Sequence, residues 1–527
     1  MKKSVKHIIL TASLAFAAIF PAVAQTARRP ALAVIITVEG LSGEYLRLLY
    51  NQLHPGGFPR LMENGMSLRR LDYGPNVDAA ASTAILLTGA APTVNGIPAA
   101  KVYDVTTKLP RPILNDPSTI GNFTDETFSP APLKVSTVAD ELRIDTDGAG
   151  HAYAVAPYSH QAIIGAGHAG NGGFWINDMT ANWASSAYYK EMPAAIRERN
   201  YRNGLAQRMD TMKWVPMTDL SLYPGVPEQQ RTHPFRNLFP RKDIQRVRRF
   251  LASPLANDEI TDVAIDLIKE TALGKDNETD MIMVGYTVAP AGSRSEIIDS
   301  YLRLDRDLSR LLAAVDQAAG TGKAIVLLAG LPSTTGSASD DKRWNIPSGL
   351  YSVKRANSLL DIQLMAVHGN GDWILGYHDR HFFLNRQLIK DRGLSLQDFR
   401  REVADFLARM AGISNVVTID DIMASRAGDN PEATRRNTSI AHAGDVIIEV
   451  SPGWQIVDDG SGRASGVQRH TAIDIPAFLT GPGVDRTDID ATVDARTLAP
   501  TLSRLLQMRA PNGASLPALN LNKPSKQ

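Results

Sequence analysis

Four short stretches of this chain gather side chains that could do chemistry. His378-Asp379-Arg380-His381 has the look of a metal cluster, with two imidazoles and a carboxylate in four residues. It precedes Phe382-Phe383, and strand alternation would set the two histidines on opposite faces, where they could not share an ion. Asp78 is followed one helical turn later by Ser82 and Thr83. Those hydroxyls read more simply as caps of the helix they lie on than as nucleophiles. Tyr158 and His160 stand two apart, and neither carries a firm positive charge at neutral pH. Arg241, Arg246, Arg248 and Arg249 concentrate basic charge, which reads as a solvated helix face rather than an anion site.

Composition removes several classes of function. The chain has no cysteine, so thiolate chemistry and a disulfide framework are both excluded. Lys2, Lys3 and Lys6 precede an apolar run from Ile8 to Ala18 that continues to Val23, and Ala22-Val23-Ala24 supplies a small-x-small site. These are the parts of a secretory signal, with Gln25 as the expected new N-terminus. The apolar core is short for a membrane anchor and Pro21 breaks it. No cysteine follows the cleavage site to carry a lipid. Removing the first 24 of 527 residues leaves 503, with 53 basic against 55 acidic side chains. That balance offers no field for nucleic acid or anionic lipid. No later segment is long and apolar enough to span a bilayer, so a soluble periplasmic or secreted protein is expected.

The elements that must position these residues alternate. Leu32–Val38 (LAVIITV) predicts a strand buried on both faces. A helix carrying Tyr45, Leu48, Leu49 and Leu53 follows and stops at Pro55-Gly56-Gly57. Further strands are expected at His151–Ala156, Asp280–Gly285, Ala324–Ala329, Val446–Val450 and Ile475–Leu479, with helices over Glu296–Ala319 and Ala495–Gln507. This alternation predicts one α/β domain, a mainly parallel sheet flanked by helices, over residues 25–519. Two insertions, about 170–257 and 333–434, are expected to form a cap at the sheet's C-terminal edge. Trp175, Trp183, Trp214, Trp344 and Trp373 fall within them and only Trp454 outside. A polar tail covers 520–527.

In this order and spacing, the short motifs resemble the alkaline phosphatase superfamily, specifically exported bacterial phosphomonoesterases of the type I phosphodiesterase/nucleotide pyrophosphatase group. The motifs are Val38-Glu39-Gly40-Leu41, Gly56-Gly57-Phe58-Pro59-Arg60-Leu61, Leu87-Thr88-Gly89, Thr137-Val138-Ala139-Asp140-Glu141-Leu142 and Ala166-Gly167-His168. Tyr301-Leu302-Arg303-Leu304-Asp305, Asn345-Ile346-Pro347-Ser348-Gly349, Gly369-Asn370-Gly371-Asp372, Pro452-Gly453-Trp454 and Leu498-Ala499-Pro500-Thr501-Leu502 continue the series. The resemblance implies a site with two zinc ions about 4 Å apart, an activated Thr or Ser, and metal ligands drawn from Asp and His.

Carried onto this sequence, nearly every such position has changed. The nucleophile position is Ala79, and the phosphate-holding Asn position is Ala100. The Lys-x-Arg clamp falls on Tyr158 and His160. The metal positions fall on Glu39, Val288, Gly292, Gly330, Leu331 and Asp474. Two of the six keep an oxygen ligand and none keeps His. The resemblance places His168 outside the metal set, where it is expected to pack.

Four lost ligands remove the charge that would hold zinc. The expectation is a pseudoenzyme without zinc, binding a glycan or lipid headgroup or an envelope protein. A phosphomonoesterase or phosphodiesterase with a relocated metal site, and a purely structural subunit, are the alternatives.

Overall fold

Leu32–Val38 is apolar except at Thr37, and all seven residues are buried. In this computed structural model they form the centre of the largest sheet. The described residues are 29–190, 192–288, 292–333, 348–425, 432–458, 463–464 and 474–521. The expected signal segment and its cleavage site, Trp344, Asn345-Ile346-Pro347 and the end of the tail lie outside them.

The sheet has ten strands: β1 (Leu32–Glu39), β2 (Gly65–Asp72), β3 (Gly121–Asn122), β4 (Ala152–Ala156), β5 (Gly172–Ile176), β6 (Trp183–Ser186), β7 (Asp280–Thr287), β8 (Ala324–Leu331), β9 (Ala477–Thr480) and β10 (Thr487–Asp494). Their spatial order is β10-β2-β9-β8-β1-β7-β4-β5-β6-β3. The central run β8-β1-β7-β4-β5 is parallel throughout. Only β6 and β9 run against the majority. The mainly parallel sheet is thus as expected.

Alternate residues of β1 feed two separate cores. Val34, Ile36 and Val38 pack with the long helices Pro254–Glu270 and Arg294–Ala319. Ala33 and Ile35 face α1 (Ala79–Thr88), α2 (Val138–Asp145), α3 (Ser159–Ala166) and α4 (Leu498–Leu505). This second face is lined by small residues, among them Ala154, Ala156 and Ala329. They let α3 lie close, since a Cβ on its Gly165 would stand 2.2 Å from Met283 Sδ.

Several expectations change. Gly172–Ile176 and Trp183–Ser186, placed by sequence inside the first insertion, are strands of the large sheet, so Trp175 and Trp183 belong to it. Val446–Val450 is a strand, but of an antiparallel four-stranded sheet with Ile374–His378, His381–Leu384 and Ile413–Thr418. Apolar β-branched runs look alike in either sheet, so composition could not separate them. Trp454 begins a strand that pairs with Gly349–Ser352 and therefore sits with the second insertion. The strand expected at Ile475–Leu479 runs antiparallel between β2 and β8.

The insertions are tied down by polar anchors. Asp299 accepts hydrogen bonds from Trp214 Nε1, Tyr223 Oη and the Met217 amide, each at 2.7 Å. In the second insertion, Tyr103 stacks on Phe383 at 4.7 Å and donates to the Leu375 carbonyl at 3.0 Å. Asn437 donates to the carbonyls of Tyr73 and Pro75. No helix among the described residues is long and apolar enough to cross a membrane.

Candidate functional site

Glu39 ends β1, in register with Thr287 of β7 and Leu331 of β8. Its carbonyl accepts the amide of Val288, and the Gly40 amide donates to the Leu331 carbonyl at 2.9 Å. Gly40 holds a positive φ of 79°, which lets the chain turn away directly after the carboxylate. Three of the residues named from sequence are thereby neighbours at the C-terminal edge of the parallel strands, where open α/β sheets bind ligands.

Asp78, not Ser82 or Thr83, caps α1. Its Oδ1 accepts the Ala81 amide at 3.0 Å, and its Oδ2 accepts the Ala100 amide at 2.7 Å. The hydroxyls of Ser82 and Thr83 turn back instead to the carbonyls of Asp78 and Ala79. Ala79 is the first residue of the helix and is buried.

Glu39 lies within reach of the Asp78 charge. Burial pushes the Glu39 carboxyl up to about 7, and the charge of Asp78 adds to the rise. Asp78 is also raised by burial, against the backbone amides that favour its charged form, with a further rise from Asp379. Asp379 lies in the turn between His378 and His381, at a φ of 52°. The hairpin tip of the second insertion therefore reaches the electrostatic range of the site. The two histidines are cross-strand partners rather than members of one strand, so they share a face. His381 is pushed down to about 4 by burial and accepts the Gly444 amide.

Tyr158 and His160 open α3, their rings stacked at 5.7 Å and 5°. Burial pushes His160 down to about 4, which leaves it uncharged at neutral pH. Tyr158 is raised by burial and then by the Glu39 charge. Below lie polar groups that sequence reading passed over. Thr37 Oγ1, both amide atoms of Gln161, and His160 Nε2 are buried without a hydrogen-bond partner among the described residues. A lone hydroxyl inside LAVIITV was the one available signal.

The remaining family positions are built into structure. Val288 and Leu331 are core residues, 1% and 0% exposed. A Cβ on Gly330 would stand 2.8 Å from Ile475 Cγ2 and 3.2 Å from Leu41 Cβ. Asp474 is held by Arg47 at 2.8 Å and by Arg69 at 3.4 Å, which keep its carboxyl below the usual range once burial is offset. Gly292 is a half-buried glycine in the bend before helix Arg294–Ala319. Val288, Gly292, Gly330 and Leu331 offer no side-chain donor, so these residues do not fit a two-zinc cage. Among the described residues, no three His, Asp or Glu side chains stand close enough to hold a metal ion.

The other candidates resolve as structure. Arg241 and Arg246 pair with Asp210, Arg248 with Asp178 and Arg249 with Asp243. His168 gives its carbonyl to Tyr188 Oη.

The profile of the family described as Type I phosphodiesterase / nucleotide pyrophosphatase matches residues 33–472. Alkaline phosphatase PafA of Elizabethkingia meningoseptica is 25% identical over 521 residues, which cover 92% of this chain and 93% of that protein. Alkaline phosphatase PhoV of Synechococcus elongatus is 27% identical over 524 residues, 94% of this chain and 93% of that protein. The crystal structure of wild-type PafA superposes with a TM-score of 0.82 at 25% identity, covering 93% of this chain and 98% of that one.

Proposed function

Because the chain belongs to the type I phosphodiesterase/nucleotide pyrophosphatase family, we propose that it is a member that has lost two-zinc phosphoryl transfer. It acts as a non-catalytic binding or structural protein of the cell envelope. The observation that supports this reading is that Val288, Gly292, Gly330 and Leu331, where the resemblance implies metal ligands, offer no ligating side chain, and three of them are packed into the core or against it. Without zinc, nothing at the start of α1 would activate a hydroxyl, and Ala79 has none.

The charge of the cleft agrees. Phosphate would approach Glu39 and Asp78, while Tyr158 and a neutral His160 stand where the resemblance implies a cationic clamp. A phosphoesterase with an altered site draws its support from the same two carboxylates, but lacks a nucleophile beside them.

Export follows from the Lys-rich start and Ala22-Val23-Ala24, with Gln25 as the mature N-terminus. The deciding experiment is metal analysis of the purified mature protein with a broad phosphomonoesterase and phosphodiesterase screen. The reading requires no stoichiometric zinc and no turnover. Two equivalents of zinc retained through dialysis would overturn it.

A further inference from the structure

Two carboxylates mark the cleft, Glu39 at the end of β1 and Asp78 at the start of α1, and the Asp78 charge acts on Glu39; Asp379 in the hairpin of the second insertion acts in turn on Asp78. Below the first two lies a polar floor. Thr37 is two residues before Glu39 and so on the same face of β1. Its register partner is Gly285, and the point where a Cβ on Gly285 would stand is 3.2 Å from Gln161 Oε1. Hydroxyl and amide thus lie on the same side of the sheet, beneath Glu39. Both residues are 0% exposed, and neither Thr37 Oγ1 nor the Gln161 amide atoms have a partner among the described residues. A buried amide or hydroxyl left this way costs about 1–3 kcal/mol, which a bound polar group would recover.

Resting on the reading of the cleft as a binding site, we propose that it receives a protonated amine, its ammonium group held by Glu39 and Asp78, and that it rejects phosphate. An ammonium brings three donors to carboxylate oxygens. A hydroxyl on the same ligand satisfies Gln161 and Thr37, which points to an amino alcohol or an amino sugar. The Tyr158 ring, stacked on His160, adds an aromatic face of the kind that attracts organic cations. A metal ion is disfavoured because no third acidic or imidazole ligand is in place among the described residues.

The test is calorimetric titration of the full mature protein with ethanolamine and glucosamine. N-acetylglucosamine, inorganic phosphate, calcium and zinc are titrated in parallel. The amines are expected to bind, and N-acetylglucosamine, which lacks the charge, to bind at least about tenfold more weakly. Glu39→Gln keeps the shape of the side chain, and it is expected to weaken glucosamine at least about tenfold without lowering the melting temperature. Should a variant unfold, the charge comparison between glucosamine and N-acetylglucosamine on the unaltered protein still decides. Equal affinity for the charged and acetylated sugars, tighter binding of phosphate or metal than of amine, or no amine binding would each overturn the proposal. A failure of amine binding without zinc or turnover leaves the non-catalytic reading standing, whereas phosphatase turnover would overturn that reading instead.

Discussion

The Asp78 carboxylate accepts the backbone amide of Ala100 at 2.7 Å. The resemblance implies a phosphate-holding Asn at position 100, where Ala100 stands, and a nucleophile at the residue after Asp78, where Ala79 stands. A side chain of the protein thus supplies a fixed anion at the start of α1, where the free amides of a helix would otherwise favour a phosphate.

Restoring the nucleophile alone should do nothing. Ala79→Thr is expected to hydrolyse no aryl phosphate, because the new hydroxyl has no metal beside it. Any turnover by this single variant, measured against the unaltered protein, would mean that a working metal site already exists.

Rebuilding the full ligand set should also fail, and for a packing reason. Glu39→Asp, Ala79→Thr, Val288→Asp, Gly292→His, Gly330→Asp, Leu331→His and Asp474→His together supply the family's residue types. Gly330→Asp, however, drives a Cβ to 2.8 Å from Ile475. Val288→Asp and Leu331→His bury polar groups in apolar cores. Each of the three should cost about 1–3 kcal/mol. The sevenfold variant is expected to melt well below the parent and to retain less than one zinc after dialysis.

His160 makes the fold sensitive to acid. Its pKa is near 4 in the folded chain against an ordinary 6.5. The unfolded chain therefore binds the proton first, and stability present above pH 6.5 is lost as pH falls toward 4. His160→Phe should flatten this loss, by about 2 kcal/mol at pH 4.5, in urea melts run between pH 4.5 and 7.5. An unchanged slope would show that the ring is solvated.

Glu39 acts in the opposite sense. Its folded pKa of about 7 lies above the ordinary 4.5, so the folded chain holds the proton more tightly. Its favourable contribution is complete below pH 4.5 and is lost as pH rises through 7. Glu39→Gln should therefore gain stability relative to the parent at pH 8, by about 2 kcal/mol, and show little gain at pH 5.

One buried carboxylate anchors the Trp214–Tyr223 part of the first insertion. Asp299 is 0% exposed and holds Trp214, Met217 and Tyr223 together with Arg303. Asp299→Ala should cost about 3–5 kcal/mol and open the Trp214–Tyr223 segment to limited proteolysis while Ile374–Val450 stays protected.

The sequence by itself determined the sheet's middle. Leu32–Val38, Asp280–Gly285 and Ala324–Ala329 are apolar but for Thr37 and Asp280, and such runs suit a strand buried on both faces. The resemblance pointed to Glu39, Val288 and Leu331, which do stand at or just past the ends of those strands. The tertiary structure decided the rest. Whether Val446–Val450 joined the large sheet or a small one depended on partners more than twenty residues away in the chain. That His378 and His381 face the same way depended on a two-residue turn between them. Thr37 and Gln161 are ordinary residues in sequence, separated by more than a hundred others. They become neighbours only because β1, β7 and α3 pack together.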